Sequence, residues 1–390
     1  MRVLVAPDSF KGSLTSIQAC DAIEQGIREV FPDAQVTKIP VADGGEGTVE
    51  AICSAASCII VSEAVTGPLG NRVHADYAVL PDHTAYVEMA AASGLLLAEG
   101  RGNPLITTTY GTGELIRSAL DHGCRKIIIG LGGSATNDGG LGMAQALGYS
   151  FKDAAGNELG FGGGELGSLA VIDASGRDRR IGECEFIAAC DVKNPLCGES
   201  GASAVYGPQK GASPEMVRTL DDNLRHFARV IRETLGADIA DEPGAGAAGG
   251  LGGGLMAFCG ARMRGGIDII LDLMEFDSKL SGVDLVITGE GRMDYQTAFG
   301  KVPVGIATRA KRLHKPVIAF TGEIGAGAGE LYNHGIDAIV SIVNKPMALS
   351  EAMGNAEQLL KDAAARTMRM VGMSMNMKAR DVQAEEERSS

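Results

Sequence analysis

The sequence predicts an α/β protein of two domains, and three observations carry that expectation. Strand-like apolar runs alternate with helix-period segments at both ends of the chain. Glycine-dense turns bearing acids and amides stand at several of the strand-to-helix junctions. The middle of the chain departs from the alternation, with hairpin-like runs and long glycine-rich loops. Strands that alternate with helices imply parallel pairing through crossover helices.

Residues 2–6 read as a strand, and Ile17, Cys20, Ile23, Ile27 and Val30 then recur at helical spacing. Ser13, Thr15 and Ser16 offer N-caps for that helix. A second strand covers 35–41, the Asp43 turn closes it, and a helix over 48–56 leads to a third strand at 58–65. The C-terminal third repeats the pattern: strand 284–288, helix 304–313, strands 316–321 and 338–343, helix 351–370. Between the ends, 74–80 and 84–89 alternate like hairpin strands, and 126–130 is apolar and reads as buried. The reading is a Rossmann/flavodoxin-like parallel-sheet domain formed by both chain ends, 1–65 plus 285–375, with a second α+β domain inserted at 66–284. The charged stretch 376–390 reads as a disordered tail. An inserted domain predicts a ligand cleft between the two.

Composition narrows the function classes. The 55 glycines among 390 residues are about twice the usual share, and they are interleaved with apolar residues, so a disordered low-complexity chain is a poor reading. No tryptophan and 4% aromatic residues argue against a base-stacking face. A net charge of -14 opposes nucleic acid and anionic membrane surfaces, while a local Lys/Arg pocket leaves small anions open. The eight cysteines form no C-x-x-C pair and the six histidines are dispersed, so reduced thiols in a cytoplasmic protein are expected, not a zinc site. The chain opens directly on a strand with no signal-peptide pattern, and no apolar run reaches membrane-spanning length.

The chemistry-bearing residues lie in the glycine turns. Asp8-Ser9-Phe10-Lys11 follows the first strand, where open parallel sheets bind ligands. Asp8 suits a metal and Lys11 an anion; a helix-capping turn with an exposed lysine reads equally well. Asp43-Gly44-Gly45-Glu46-Gly47 has the form of a phosphate or metal loop, or of an N-cap with a dipole-favouring acid. Residues 132–140 gather Gly132, Gly133, Ser134, Asn137 and Asp138 after a buried strand. Gly130-x-Gly132-x-x-Ala135 loosely matches a dinucleotide fingerprint, without the expected acid after a second strand. Asp191 and Asn194 follow an apolar run, suiting a base, a metal ligand or an Asx turn. Lys210 sits in the tight turn Gly207-Pro208-Gln209-Lys210-Gly211. Glu290, Arg292, Asp294 and Lys301 follow strand 284–288 and open a helix, as a phosphate cradle would. A Walker A loop, the protein-kinase motif set and a G-x-S-x-G elbow are all absent. Backbone N–H groups at such turns cradle anions, and acids beside them call for a divalent cation.

Taken in order, Pro7-Asp8-Ser9-Phe10-Lys11, Val41-Ala42-Asp43-Gly44-Gly45-Glu46-Gly47-Thr48, Thr66-Gly67-Pro68-Leu69-Gly70, Glu88-Met89-Ala90-Ala91-Ala92-Ser93-Gly94 and the 132–140 loop resemble the bacterial glycerate kinase family. So do Phe161-Gly162-Gly163-Gly164, Cys190-Asp191-Val192-Lys193-Asn194-Pro195-Leu196, and the segments 207–211, 244–250 and 287–294. The resemblance spans about residues 1–373 and is nearest the enterobacterial glucarate/glyoxylate-pathway type. It implies ATP-dependent phosphorylation of D-glycerate to 2-phospho-D-glycerate, with Mg2+, on a two-domain fold with a discontinuous first domain. On that basis Asp191 is the expected base or orienter of the substrate hydroxyl, with Lys11, Asp43, Asn137 and Asp138 as further catalytic candidates. Substrate or phosphate contacts are expected from Asp8, Ser9, Gly44, Gly45, Glu46, Gly132, Gly133, Ser134, Asn194, Lys210, Glu290, Arg292, Asp294 and Lys301. Asp43, Asp138 and Asp191 are the expected magnesium ligands. A glycerate 3-kinase, an NAD-dependent hydroxy-acid oxidoreductase and a non-catalytic sensor of a phosphorylated acid stand as alternatives, and a homo-oligomer is left open.

Overall fold

The computed structural model describes residues 1–42, 47–98, 100, 102–299 and 301–389, with side chains for all of these except 55, 299 and 376–389. In chain order the strands are β1 Arg2–Val5, β2 Gln35–Lys38, β3 Ile59–Thr66, β4 Arg72–Val79, β5 Thr84–Glu88, β6 Lys126–Gly130, β7 Ser150–Lys152, β8 Val171–Asp173, β9 Glu185–Ala189, β10 Arg262–Arg264, β11 Leu285–Met293, β12 Val317–Ile324 and β13 Ala338–Ser341. The chain divides into two compact units: a terminal unit of Met1–Ala42 with Ile270–Ser390, and a middle unit of Asp43–Ile269.

The terminal unit carries a sheet of order β13-β12-β11-β1-β2, every neighbouring pair parallel. This is the doubly wound arrangement that the strand–helix alternation predicts. Its core joins Val3, Val5, Leu285, Ile287 and Phe320 from the strands to Ala19, Ile23 and Ile27 from the helix Ser16–Val30. That helix starts at Thr15, whose hydroxyl accepts the Gln18 N–H while Gln18 Oε1 accepts the Thr15 N–H, a reciprocal cap. Ile17, expected on the apolar face, is 38% exposed. A Cβ at Gly26 would overlap the Lys361 carbonyl and Ala364, so this helix meets the helix Ala356–Ser389 almost backbone to backbone.

The middle unit holds a six-stranded sheet of order β10-β9-β6-β5-β4-β3. The β3–β4 and β4–β5 pairs are antiparallel, and the β5–β6, β6–β9 and β9–β10 pairs are parallel. β5 is buried along its whole length, and four of five β6 residues are buried, as central strands should be. β7 and β8 form a separate antiparallel pair.

Four expectations differ from this structure. Residues 48–65, assigned from sequence to the first domain, pack in the middle unit. A turn in which Gly67 N–H donates to the Asn71 carbonyl folds β3 back onto β4, so β3 joins that sheet. Ile270 to Asp284, assigned to the insert, belongs to the terminal unit. The stretch read as a disordered tail continues the last helix to Ser389, because it is rich in Ala, Glu, Lys, Arg and Gln and has no glycine or proline after Gly372. Cys53 and Cys58 form a disulfide with Cα atoms 5.2 Å apart, in place of the reduced thiols expected; their spacing across a helix C-terminus carries no recognised pattern. Among the described residues no helix is long and apolar enough to cross a membrane.

Candidate active site

At the carboxyl ends of β6 and β9 the middle unit encloses a cavity of about 260 Å³. Its walls include Gly132, Gly133 and Ser134 after β6, Cys190 and Asp191 after β9, and Tyr206, Gln209 and Lys210 from the segment beyond. Leu95, Leu131, Ala189, Ala247 and Ala248 supply the apolar part.

Lys210 is the cation of this cavity. It ends the 3-10 turn Pro208–Lys210, and Gly211 follows in the left-handed region at φ +94°. The side chain is buried, and its ammonium donates to Ser134 Oγ and to the Thr136 carbonyl, both at 2.7 Å. Both partners are neutral. Burial therefore pulls the Lys210 pKa down to about 7, against the opposing field of Asp138. Asp191 is exposed at the rim and its Oδ1 accepts the Gly266 N–H at 2.8 Å. Cys190 is less available, since burial pushes its thiol pKa up to about 11.

Two residues expected to do chemistry are turned away from the cavity. Asp138 is fully buried, and its oxygens accept the Thr109 N–H and hydroxyl, both at 2.8 Å, and the N–H groups of Gly140 and Gly142. Three of these donors fall on Oδ2 and one on Oδ1, so the carboxylate is largely committed to holding the Thr109 turn and its own loop. Burial raises its pKa, and the hydrogen bonds oppose that rise. Asn137 is likewise buried, its amide paired with the Ser203 hydroxyl at 3.2–3.3 Å. Asn194 acts one step back: its Oδ1 accepts the Tyr206 hydroxyl at 2.7 Å, and its Nδ2 donates to the Ser200 carbonyl. The loop 132–140 is braced from behind by 246–250. Gly139 N–H donates to the Gly249 carbonyl, and a Cβ at Gly249 (φ +69°) would overlap the Thr136 carbonyl. Ala248, on the cavity wall, holds the left-handed φ of +52° that alanine seldom adopts.

A second polar cluster lies in the terminal unit. The chain leaves β1 toward β2 on one side and returns at β11 on the other, so the β1/β11 boundary is a topological switch point, where doubly wound sheets bind ligands. Asp8, buried just past β1, donates its N–H to the Gly289 carbonyl and accepts the Ser9 N–H on Oδ1. Glu290 is buried on β11, accepts the Thr297 hydroxyl at 2.7 Å and meets Lys301 Nζ at 3.5 Å. Burial raises the Glu290 pKa, while Thr297, Lys301 and Lys11 work to lower it. Lys301 is the N-cap residue of the helix Val302–Arg312. Arg292 spends its guanidinium on Asp294 at 3.2 Å and Glu323 at 3.7 Å.

Asp43, Gly44, Gly45 and Glu46 lie outside the described residues. Among the described residues no three His, Cys, Asp or Glu side chains are grouped to hold a metal ion. The dinucleotide fingerprint fails on its context, because the helix after β6 begins only at Leu141, beyond the 130–135 match. Sequence reasoning missed Tyr206, Gln209 and the apolar wall. It also missed Glu88, a buried acid at the end of β5 that accepts the Val49 N–H at 2.6 Å.

An α/β protein with a switch-point cluster in one unit and a small cation-bearing cavity in the other has the features of an anion-handling enzyme. Residues 3–372 match the family model described as the glycerate kinase family. The chain is 52% identical to the glycerate 2-kinase of Escherichia coli (strain K12), covering 91% of this chain and 94% of that one. It is 50% identical to a glycerate kinase of Bacillus subtilis (strain 168), covering 97% and 98%. A crystal structure from Salmonella typhimurium LT2, described as a glycerate kinase 2, superposes with a TM-score of 0.85 at 49% identity, over 96% of this chain and 99% of that one. The protein belongs to the glycerate kinase family and is a kinase.

Proposed function

We propose that this protein transfers the γ-phosphoryl group of ATP to the 2-hydroxyl of D-glycerate, giving 2-phospho-D-glycerate and ADP. The observation that carries the reading is the cavity of the middle unit, which sets a buried lysine, a serine hydroxyl and a rim carboxylate around about 260 Å³. That volume lies below the ~300–1,000 Å³ of pockets for drug-sized ligands and suits a three-carbon acid.

Lys210 and the Gly132-Gly133-Ser134 backbone would hold the glycerate carboxylate or the transferred group. Asp191 would accept the hydroxyl proton as the oxygen attacks phosphorus and ADP departs. The terminal-unit cluster, with Lys11 and Lys301, is the proposed seat of the nucleotide phosphates. Magnesium carried by the nucleotide would neutralise phosphate charge, and it needs only one or two protein carboxylates. With Asp138 held by four donors around its own loop, Asp8 and Asp191 are the described candidates. A cytoplasmic location belongs to the same proposal.

The test is phosphorus NMR of the purified protein with ATP, magnesium and D-glycerate, beside controls without glycerate and with EDTA. A new phosphomonoester signal coupled to the C2 proton is expected. Coupling to the C3 protons would make the protein a glycerate 3-kinase, and intact ATP without product would reject kinase action on glycerate.

A further inference from the structure

We propose that the middle-unit cavity takes up its anionic ligand together with a proton, and that Lys210 is the group that receives it. The inference rests on the reading of this cavity as an anion site and adds a protonation step to it.

Lys210 is buried at 2% exposure, and its two hydrogen-bond partners, Ser134 Oγ and the Thr136 carbonyl, are uncharged. An ammonium taken out of water without an opposing charge is strongly disfavoured. Among the described residues, the titratable groups that line the cavity with it are Cys190 and Asp191 after β9 and Tyr206 on the helix Ala202–Tyr206, and Asp138 acts on it through its field from behind the 132–140 loop. Asp138 supplies an opposing field, yet four other donors already share its oxygens. Asp191 is engaged with Gly266 at the rim. Cys190 and Tyr206 are both held in their neutral forms by burial. The ligand-free cavity thus has a lysine poised to lose its proton near neutrality. A carboxylate or phosphate oxygen entering beside Ser134 supplies the missing counter-charge, and the ammonium form becomes the stable one. Anion and proton then bind as a pair, and each strengthens the other by linkage.

The experiment is titration calorimetry of the full chain at pH 8 in buffers of low and high ionisation enthalpy. Separate arms use D-glycerate alone and a non-hydrolysable ATP analogue alone. The slope of observed heat against buffer enthalpy reads the protons taken up. With a ligand-free value of about 7, one arm should show uptake approaching one proton at pH 8 and close to none at pH 6. The arm that shows it identifies whether the carboxylate or the phosphate occupies the cavity. Lys210→Arg, which keeps the charge at all pH values, should bind without uptake. Binding whose heat is independent of buffer in both arms would overturn the proposal, as would uptake unchanged in Lys210→Arg. The ligand-free protein gives a second readout: a lysine 13Cε resonance titrating near pH 7 and missing from Lys210→Arg is expected, and its absence would also overturn it. Product formation in the phosphorus NMR assay without proton uptake would remove this inference and leave the kinase reading standing.

Discussion

The Lys210 ammonium and the Ser134 hydroxyl lie 2.7 Å apart although 76 residues separate them in the chain. That bond ties the Gly-Pro-Gln-Lys-Gly turn to the glycine loop after β6, and it brings the cation of the site to the place where an anion would rest against the loop backbone. Replacing Lys210 by Met should keep the fold and lower kcat/KM about 100-fold or more, the scale of losing a charge-stabilising donor. Steady-state kinetics beside circular dichroism would check both halves.

The same lysine makes stability depend on pH. Its folded value, about 7, lies below the ordinary lysine value of 10.5, so the unfolded chain binds more protons between those limits. The penalty of the buried ammonium is fully present below pH 7 and fades as pH rises toward 10.5. Urea unfolding of the ligand-free protein should show wild type gaining stability relative to Lys210→Met across that window. A constant difference would mean that Lys210 is charged throughout.

Asp138 is expected to matter for folding rather than for turnover. Asp138→Asn keeps one acceptor oxygen and turns an NH2 toward backbone donors, leaving buried groups unpaired. A loss of about 3 kcal/mol in unfolding free energy is expected. Equilibrium denaturation measures it, and full stability with abolished activity would return Asp138 to the catalytic set.

Asp191 should behave in the opposite way. It is exposed, so Asp191→Asn should leave the unfolding midpoint almost unchanged while turnover drops about 100-fold or more. Near-normal turnover would take the base role away from it.

Gly249 tests the bracing of the site loop. Gly249→Ala adds a Cβ against the Thr136 carbonyl at a left-handed φ, and about 3 kcal/mol of destabilisation is expected. Thermal unfolding against wild type decides the point.

In the terminal unit, Lys301→Met should raise KM for ATP about tenfold and leave KM for glycerate near wild type. The reverse pattern would exchange the ligands assigned to the two clusters.

Much of this was legible in the chain. The 3.6-residue recurrence of Cys20, Ile23 and Ile27 and the apolar run of β6 specify element type, because backbone geometry over a few residues sets those periods. The glycine turns, their acids and the ordered motifs pointed to phosphate chemistry and to the family, since those residue types are needed wherever a backbone approaches an anion closely. Tertiary structure alone decided which neighbours in a turn face the ligand. Ser134 lines the cavity while Asn137 and Asp138, three and four residues on, are spent on Ser203 and on Thr109 with the nearby Gly140 and Gly142 N–H groups. It also decided that β3 pairs with β4 rather than joining the first sheet, and that the hydrogen bonds of Lys210 go to neutral groups among the described residues. Side-chain direction in a left-handed glycine turn, and the solvation of a buried charge, depend on residues tens of positions away, and no local pattern carries that information.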